Sequence, residues 1–262
     1  MQLAVNYSSQ AEALRREGRI ELDCYKCPDW PDLIRQAREV RPIYVHFPLN
    51  TRSLGEVDWA QVEHLLADTG TPFVNLHLIA RPEQFPAGVD SERVAEALVA
   101  EVHTVTRRFG AERVMLENVI YRGAGDQRML RAVVEPAVIR RVVEETGCGL
   151  LLDTAHAWIS AEGLGLDPRE YLSQLPVRSL REWHITGTQH DGTKWRDHMP
   201  LRAVDWDLVE WVAAQIASGE WGKPWIASLE YGGIGPIFEW RSDTAVIAEQ
   251  VPRLLHLVQS IG

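Results

Sequence analysis

The stretch LLLDTAH, residues 150–156, decides the reading of the fold. A short apolar run that reads as a buried strand stops on a carboxylate, Asp153, and His156 follows three residues later as the chain leaves the strand. The same pattern recurs on both sides. Upstream, VMLEN carries Glu117, FVNLHL carries His77 and IYVHFP carries His46; downstream, REWHIT carries His184 and IASLEY carries Glu230. One metal-capable side chain at a strand end means little. Six of them, roughly thirty to forty-five residues apart, place a ring of donors at one end of a parallel barrel, the end where enzymes of that architecture keep their chemistry.

Around these stops, β-rich runs alternate with stretches of helical periodicity from end to end, which argues for repeated βα units. Eight strands are predicted: Leu3–Asn6, Ile20–Lys26, Ile43–His46, Phe73–His77, Arg113–Asn118, Gly149–Asp153, Leu180–Ile185 and Trp225–Glu230. Helices are predicted near Gln10–Glu17, Asp32–Glu39, Asp58–Thr69, Ser91–Phe109, Gln127–Thr146, Pro168–Gln174, Val204–Ala217 and Asp243–Ile261, several opening on a capping residue. That count is the (β/α)8 TIM barrel. With no linker or low-complexity segment inside the 262 residues, one barrel domain over 1–262 is expected.

Composition narrows the function classes. The 45% apolar and 24% charged residues are globular proportions. No apolar run reaches the length of a membrane span, and MQLAVNYSSQ enters a strand pattern without a basic leader, so a cytoplasmic location with no membrane partner is expected. A net charge of −10 disfavours a broad nucleic-acid footprint. Lysines are three, Lys26, Lys194 and Lys223, which leaves few candidates for lysine chemistry. Cys24, Cys27 and Cys148 cannot build a disulfide framework, and the Cys24–Cys27 pair sits in strand sequence before a proline, an unsuitable place for a redox or zinc motif.

The loop after the seventh strand adds adjacent Asp197 and His198. The candidate metal ligands are therefore His46, His77, Glu117, Asp153, His156, His184, Asp197, His198 and Glu230, five imidazoles and four carboxylates. Such mixed nitrogen and oxygen donors suit Zn²⁺, Mn²⁺ or Fe, and nine exceed what one ion uses, so two or three divalent metal ions are expected. The opposing reading has Arg81, Arg122 and Arg196 neutralising the acids and the histidines serving as core residues; His64, His103 and His256, in helical runs, are assigned to that role. Long loops after the last two strands carry Trp195, Arg196, Trp240 and Arg241, as loop packing or as a substrate wall. Asn6, Lys26, Arg81 and Arg241 are the candidate substrate contacts, with a surface salt bridge as the alternative for the arginines.

The succession of strand-end His, His, Glu, Asp-x-x-His, His and Glu resembles the xylose isomerase-like TIM-barrel superfamily over almost the whole chain. Its sugar isomerases and epimerases imply one metal on Glu117, Asp153, His184 and Glu230, with the two glutamates as catalytic acid and base. Glu117 is followed by Asn118 and Val119, where xylose isomerase has Glu-x-Lys-Pro. LLDTAHA is similar to endonuclease IV, which implies three zinc ions and phosphodiester hydrolysis, although that family's Asp-x-His reads here as adjacent Asp197 and His198.

The second half most resembles the multinuclear non-heme iron oxidative enzymes of the methanobactin-biosynthesis type, from LLLDTAHAWISAEGLGLDPREYLSQLP through EWHITG to RDHMPL. His156 departs from their common asparagine. This resemblance implies two or three irons, oxidative modification of a peptide or small molecule, and a partner protein that presents the peptide. Two readings stand beside it: a metal-dependent isomerase, epimerase or phosphodiesterase, and a catalytically idle barrel that binds metal or a partner.

Overall fold

A computed structural model describes residues 1–125, 128–235 and 238–262. In chain order it begins β1 (Gln2–Asn6), α1 (Ser9–Arg16), β2 (Cys24–Pro28), α2 (Pro31–Arg38), β3 (Ile43–His46), α3 (Trp59–Thr69), β4 (Val74–His77), α4 (Ser91–Phe109) and β5 (Val114–Glu117). It continues with α5 (Pro136–Thr146), β6 (Gly149–Asp153), α6 (Thr154–Leu164), α7 (Pro168–Gln174) and β7 (Leu180–Ile185). A hairpin of β8 (Gly187–His190) and β9 (Trp195–Met199) follows, then α8 (Ala203–Ala217), β10 (Ile226–Leu229) and α9 (Thr244–Ser260).

Eight strands pair in parallel in the order β3-β2-β1-β10-β7-β6-β5-β4, a (β/α)8 barrel open only between β3 and β4. Side chains and the chain beyond β3 close that seam. Asn75 on β4 accepts from Phe47 N at 2.8 Å and donates to Phe47 O at 2.9 Å, doing with an amide side chain what a strand backbone does elsewhere. One step further, His77 N donates to Leu49 O at 2.8 Å and Thr51 N to His77 O at 3.0 Å.

Strand side chains alternate between the barrel interior and the helix layer. On β5, Val114 and Leu116 join the large core beneath the helices, whereas Glu117 turns inward. Ala4, Cys24, Tyr44 and Ile226 form a separate small cluster of interior residues. The register pairs His77 with Glu117 and Asp153 with His184, so neighbouring strand ends bring their polar residues together.

Two predicted elements differ, and further elements appear that the sequence reading did not contain. The second strand begins at Cys24 rather than Ile20, because Ile20 and Leu22 pack into the core before the chain joins β1. The helix expected over Gln127–Thr146 is regular only from Pro136, since a proline favours the first helical turn and its predecessor Glu135 is extended; Gln127 lies outside the described residues. Helix α6 and the β8–β9 hairpin were not predicted. TAHAWISAEGL has no polar face, as Thr154, Ala155, Ala157, Trp158, Ile159 and Ser160 are all buried. Among the described residues, no helix is long and apolar enough to cross a membrane.

Candidate metal centre

All nine candidate donors converge at the strand C-terminal end of the barrel. Glu117 is the hub: Oε2 lies 3.2 Å from His77 Nε2 and 3.5 Å from His46 Nε2, while Oε1 lies 3.6 Å from His156 Nδ1 and 3.7 Å from His184 Nδ1. On the far side, His184 Nδ1 is 3.4 Å from Glu230 Oε1. His156 Nε2 is 3.6 Å from Asp153 Oδ2 and 3.3 Å from Asp197 Oδ2, which in turn lies 3.2 Å from His198 Nε2. The hairpin therefore brings the last two donors over the barrel mouth. His198 holds them there in a left-handed backbone conformation, φ 56°, that is uncommon away from glycine and clusters at functional sites.

Helix α6 explains the Asp-x-x-His spacing. Asp153 caps the helix by accepting from His156 N at 2.8 Å, which fixes the turn that swings His156 back toward Glu117. Asn118 braces the same corner, donating to Asp153 O at 2.9 Å and accepting from Asp153 N at 2.8 Å.

The donor atoms suit divalent cations. Three overlapping sets, His46–Glu117–His184, Glu117–Asp153–His156 and Asp153–His184–Glu230, each offer ligand atoms within 4.8 Å of one another. Glu117 Oε2, Asp153 Oδ2 and His46 Nδ1 are buried without a hydrogen-bond partner, a costly state that bound cations would relieve at the carboxylates.

The imidazoles are oriented from behind. His77 Nδ1 donates to Leu49 O at 3.0 Å, His156 Nδ1 to Asn118 O at 2.9 Å and His198 Nδ1 to Glu230 O at 2.9 Å. A carbonyl can only accept, so each ring turns Nε2 toward the centre, the orientation that metal-ligating histidines use.

The electrostatics are those of a site short of positive charge. Burial pushes Asp153 up to about 8, helped by Glu230 and Glu117 and opposed by His156. Burial alone would lower His184 and His156, but Glu230 carries His184 up to about 10, and Asp153 and Asp197 carry His156 well above the usual imidazole range. His46 is held well below that range by burial and by the Lys26 charge. Glu117 and Glu230 stay ionised despite burial because histidines and, for Glu230, Lys26 surround them.

Of the candidate substrate contacts, Asn6, Lys26 and Arg241 line a cavity of about 240 Å³ that also contains Tyr7, Leu33, Phe238 and part of the donor cluster. Lys26 is less a free contact than expected. It is buried, ion-paired to Glu230 and 3.1 Å from His184 Nε2. Arg81 is outside the cavity, exposed on the loop after β4, where its backbone N–H bonds Gln84 Oε1 at 2.8 Å; its position after a strand end did not bring it to the mouth.

Of the arginines considered as neutralisers, Arg196 turns away to Asp191 and Arg122 donates Nε to Trp195 O at 2.9 Å. Trp195 packs on Trp158 with centroids 4.4 Å apart, and Trp240 is exposed. His64 and His256 are exposed and His103 half-buried on outer helices, so none of the three is a core residue. Burial pushes the Cys24 and Cys27 thiols up to about 12, which suits inert core residues.

Sequence reading missed Glu182, Tyr44, Asn75 and Asn118. Glu182 carried a usable signal, since it stands two residues before His184 and so shares its strand face.

The fold is shared with distant solved structures. The IOLI protein with a bound zinc atom superposes with a TM-score of 0.64 at 14% identity, over 100% of this chain and 99% of that one. Endonuclease IV from Thermus thermophilus superposes with a TM-score of 0.55 at 15% identity, over 98% of this chain and 99% of that one. These likenesses show a shared (β/α)8 barrel fold. Among curated relatives, UPF0276 protein BPP1075 of Bordetella parapertussis is 31% identical over 138 residues, 47% of this chain and 43% of the relative. The chain thus aligns with less than half the length of the first curated relatives it matches. The model of the RiPP precursor modification enzymes MbnB/TglH/ChrH matches residues 51–220, a span that holds seven of the nine donors outright, from His77 to His198, and leaves His46 and Glu230 flanking it. The chain therefore belongs to the RiPP precursor modification enzyme family MbnB/TglH/ChrH.

Proposed function

We propose that this protein is a multinuclear metal-dependent enzyme that oxidatively modifies a peptide, with two or three divalent ions, iron foremost, held by the nine donors. The observation that carries the reading is the overlap of the three donor sets on Glu117, Asp153 and His184, so that the cluster would hold more than one cation. Bound iron would supply Lewis acidity and one-electron chemistry with O₂, which the side chains of this cavity do not provide.

The chain's own residues do the rest. Backbone carbonyls of Leu49, Asn118 and Glu230 fix three imidazoles, and Glu182 fixes a fourth. Lys26 neutralises Glu230 within the cavity. Glu117 and Glu230 are the carboxylates placed to hold or pass a proton beside a bound substrate. A partner that presents the peptide belongs to this reading, as the family's precursor substrates suggest.

Anaerobic purification followed by metal quantification and anomalous scattering tests it. More than one iron per chain is expected. Zinc at full occupancy with no oxygen consumption would favour phosphodiester hydrolysis, and a single metal on Glu117, Asp153, His184 and Glu230 would favour a sugar isomerase or epimerase.

A further inference from the structure

Arg241 stands out among the cavity residues. It is only 7% exposed, its Nε has no hydrogen-bond partner, and no carboxylate of the described residues forms an ion pair with it. A buried guanidinium without a counter-ion is expensive. The loop nevertheless holds it firmly. Its Cζ sits 4.3 Å from the centre of the Phe238 ring, and the next residue, Ser242, bonds Gly233 O at 3.1 Å and Phe238 O at 3.3 Å through its hydroxyl. Gly233 is required beneath it, because any side chain there would collide with Phe238.

Stacking on a ring face leaves the in-plane N–H donors of arginine available, the fork that matches a carboxylate. Glu230 and Asp197 act on Arg241 electrostatically, but their own close partners are Lys26, His184, His156 and His198. Lys26, the other cation of the cavity, is taken by Glu230. Tyr7, Leu33, Ile234 and Phe238 supply apolar wall beside the free guanidinium.

We propose that Arg241 is the carboxylate-binding subsite of this cavity, receiving a substrate whose carboxylate is flanked by an apolar group. The inference deepens the reading above, resting on it for what is done to the substrate but not for how the carboxylate is bound. A peptide chain end and an acidic side chain share this chemistry.

Three probes, N-acetylleucine, N-acetylleucinamide and N-acetylaspartic acid α-amide, are titrated calorimetrically against metal-loaded wild type, Arg241→Met and Arg241→Lys, with melting temperature and metal content measured for each. N-acetylleucine binds wild type and weakens roughly tenfold or more in Arg241→Met, less in Arg241→Lys, whereas the amide binds all three equally poorly. Comparable binding of the aspartic acid amide assigns the contact to side-chain carboxylates; its absence assigns it to chain ends. Equal N-acetylleucine affinity in wild type and Arg241→Met, as when the carboxylate sits on the metals alone, overturns the subsite. So does equal affinity for acid and amide, or no binding of any carboxylate probe to wild type. A wild type that takes up no metal sinks the metalloenzyme reading instead, and the same titration on that metal-free chain still decides the role of Arg241.

Discussion

Glu182 Oε1 lies 2.7 Å from His184 Nε2, two residues along the same strand, and Tyr44 donates its hydroxyl to that same oxygen at 2.9 Å. The period of two on β7 puts both side chains inside the barrel, so the carboxylate orients the imidazole from below and leaves Nδ1 for Glu117 and Glu230. Outer partners of this kind commonly govern metal affinity. Glu182→Ala should weaken metal binding by roughly 10–100-fold, Glu182→Gln by less because it still accepts, and Tyr44→Phe least. Competition with a chelator of known affinity reads the order; unchanged affinity in Glu182→Ala would refute the role.

Metal uptake should favour high pH. Asp153, raised to about 8, and His184, raised to about 10, hold protons at neutrality that a cation must displace. The stability of the metal-free fold runs the other way. His184 contributes fully below its unfolded value and loses that contribution as pH rises through about 10; Asp153, also raised, makes ionisation costlier in the fold up to about 8. The melting temperature of chelated protein should therefore fall between neutrality and about pH 10, and the gain on adding metal should grow over the same interval. Scanning calorimetry with and without chelator checks both; a metal-free melting point that climbs across this range would contradict the assignment.

Gly187 offers a way to disturb two donors without touching them. A Cβ there would run into the Pro200 carbonyl, at the base where the two strands of the β8–β9 hairpin leave and rejoin the barrel. Gly187→Ala should displace Asp197 and His198, lower metal content per chain, and cost about 1–3 kcal/mol of stability through overpacking. Elemental analysis showing full metal content would mean that the hairpin donors are dispensable.

Acid stability has its own source, away from the centre. Glu12 is buried and accepts from Arg15 at 2.8 Å, Arg16 at 2.6 Å and the Tyr25 hydroxyl at 3.0 Å; these bonds bring it down to about 2 against the opposing effect of burial. A carboxylate lowered in the fold stabilises above its unfolded value and loses that contribution as pH falls toward about 2. Glu12→Gln should be less stable at neutral pH and lose less than wild type on acidification. Urea titrations at about pH 7 and about pH 3 would show the difference narrowing.

Much of this was legible in the chain. Strand ends such as VMLE and LLLD announce themselves because apolar runs must be buried and a carboxylate terminating one must face something that compensates it. Arg81 and Lys26 show where such reading stops. Arg81 follows the fourth strand and Lys26 ends the predicted second one, yet one is exposed and the other lies within β2 paired with Glu230, because loop direction and ion pairing depend on distant residues. Helix α6 escaped detection because a helix buried on every side has no periodic polar face.

By itself, the sequence determined the alternation of strand and helix, the barrel, and the residue types available at its rim, since periodicity and burial are local consequences of side-chain chemistry. The tertiary structure decided which of those residues meet. Strand register set Glu117 beside His77 and Asp153 beside His184, the hairpin carried Asp197 and His198 over the mouth, and the last loop left Arg241 buried with its Nε unpartnered. Contacts between residues far apart in the chain are fixed by the closure of the whole barrel, which no local pattern encodes.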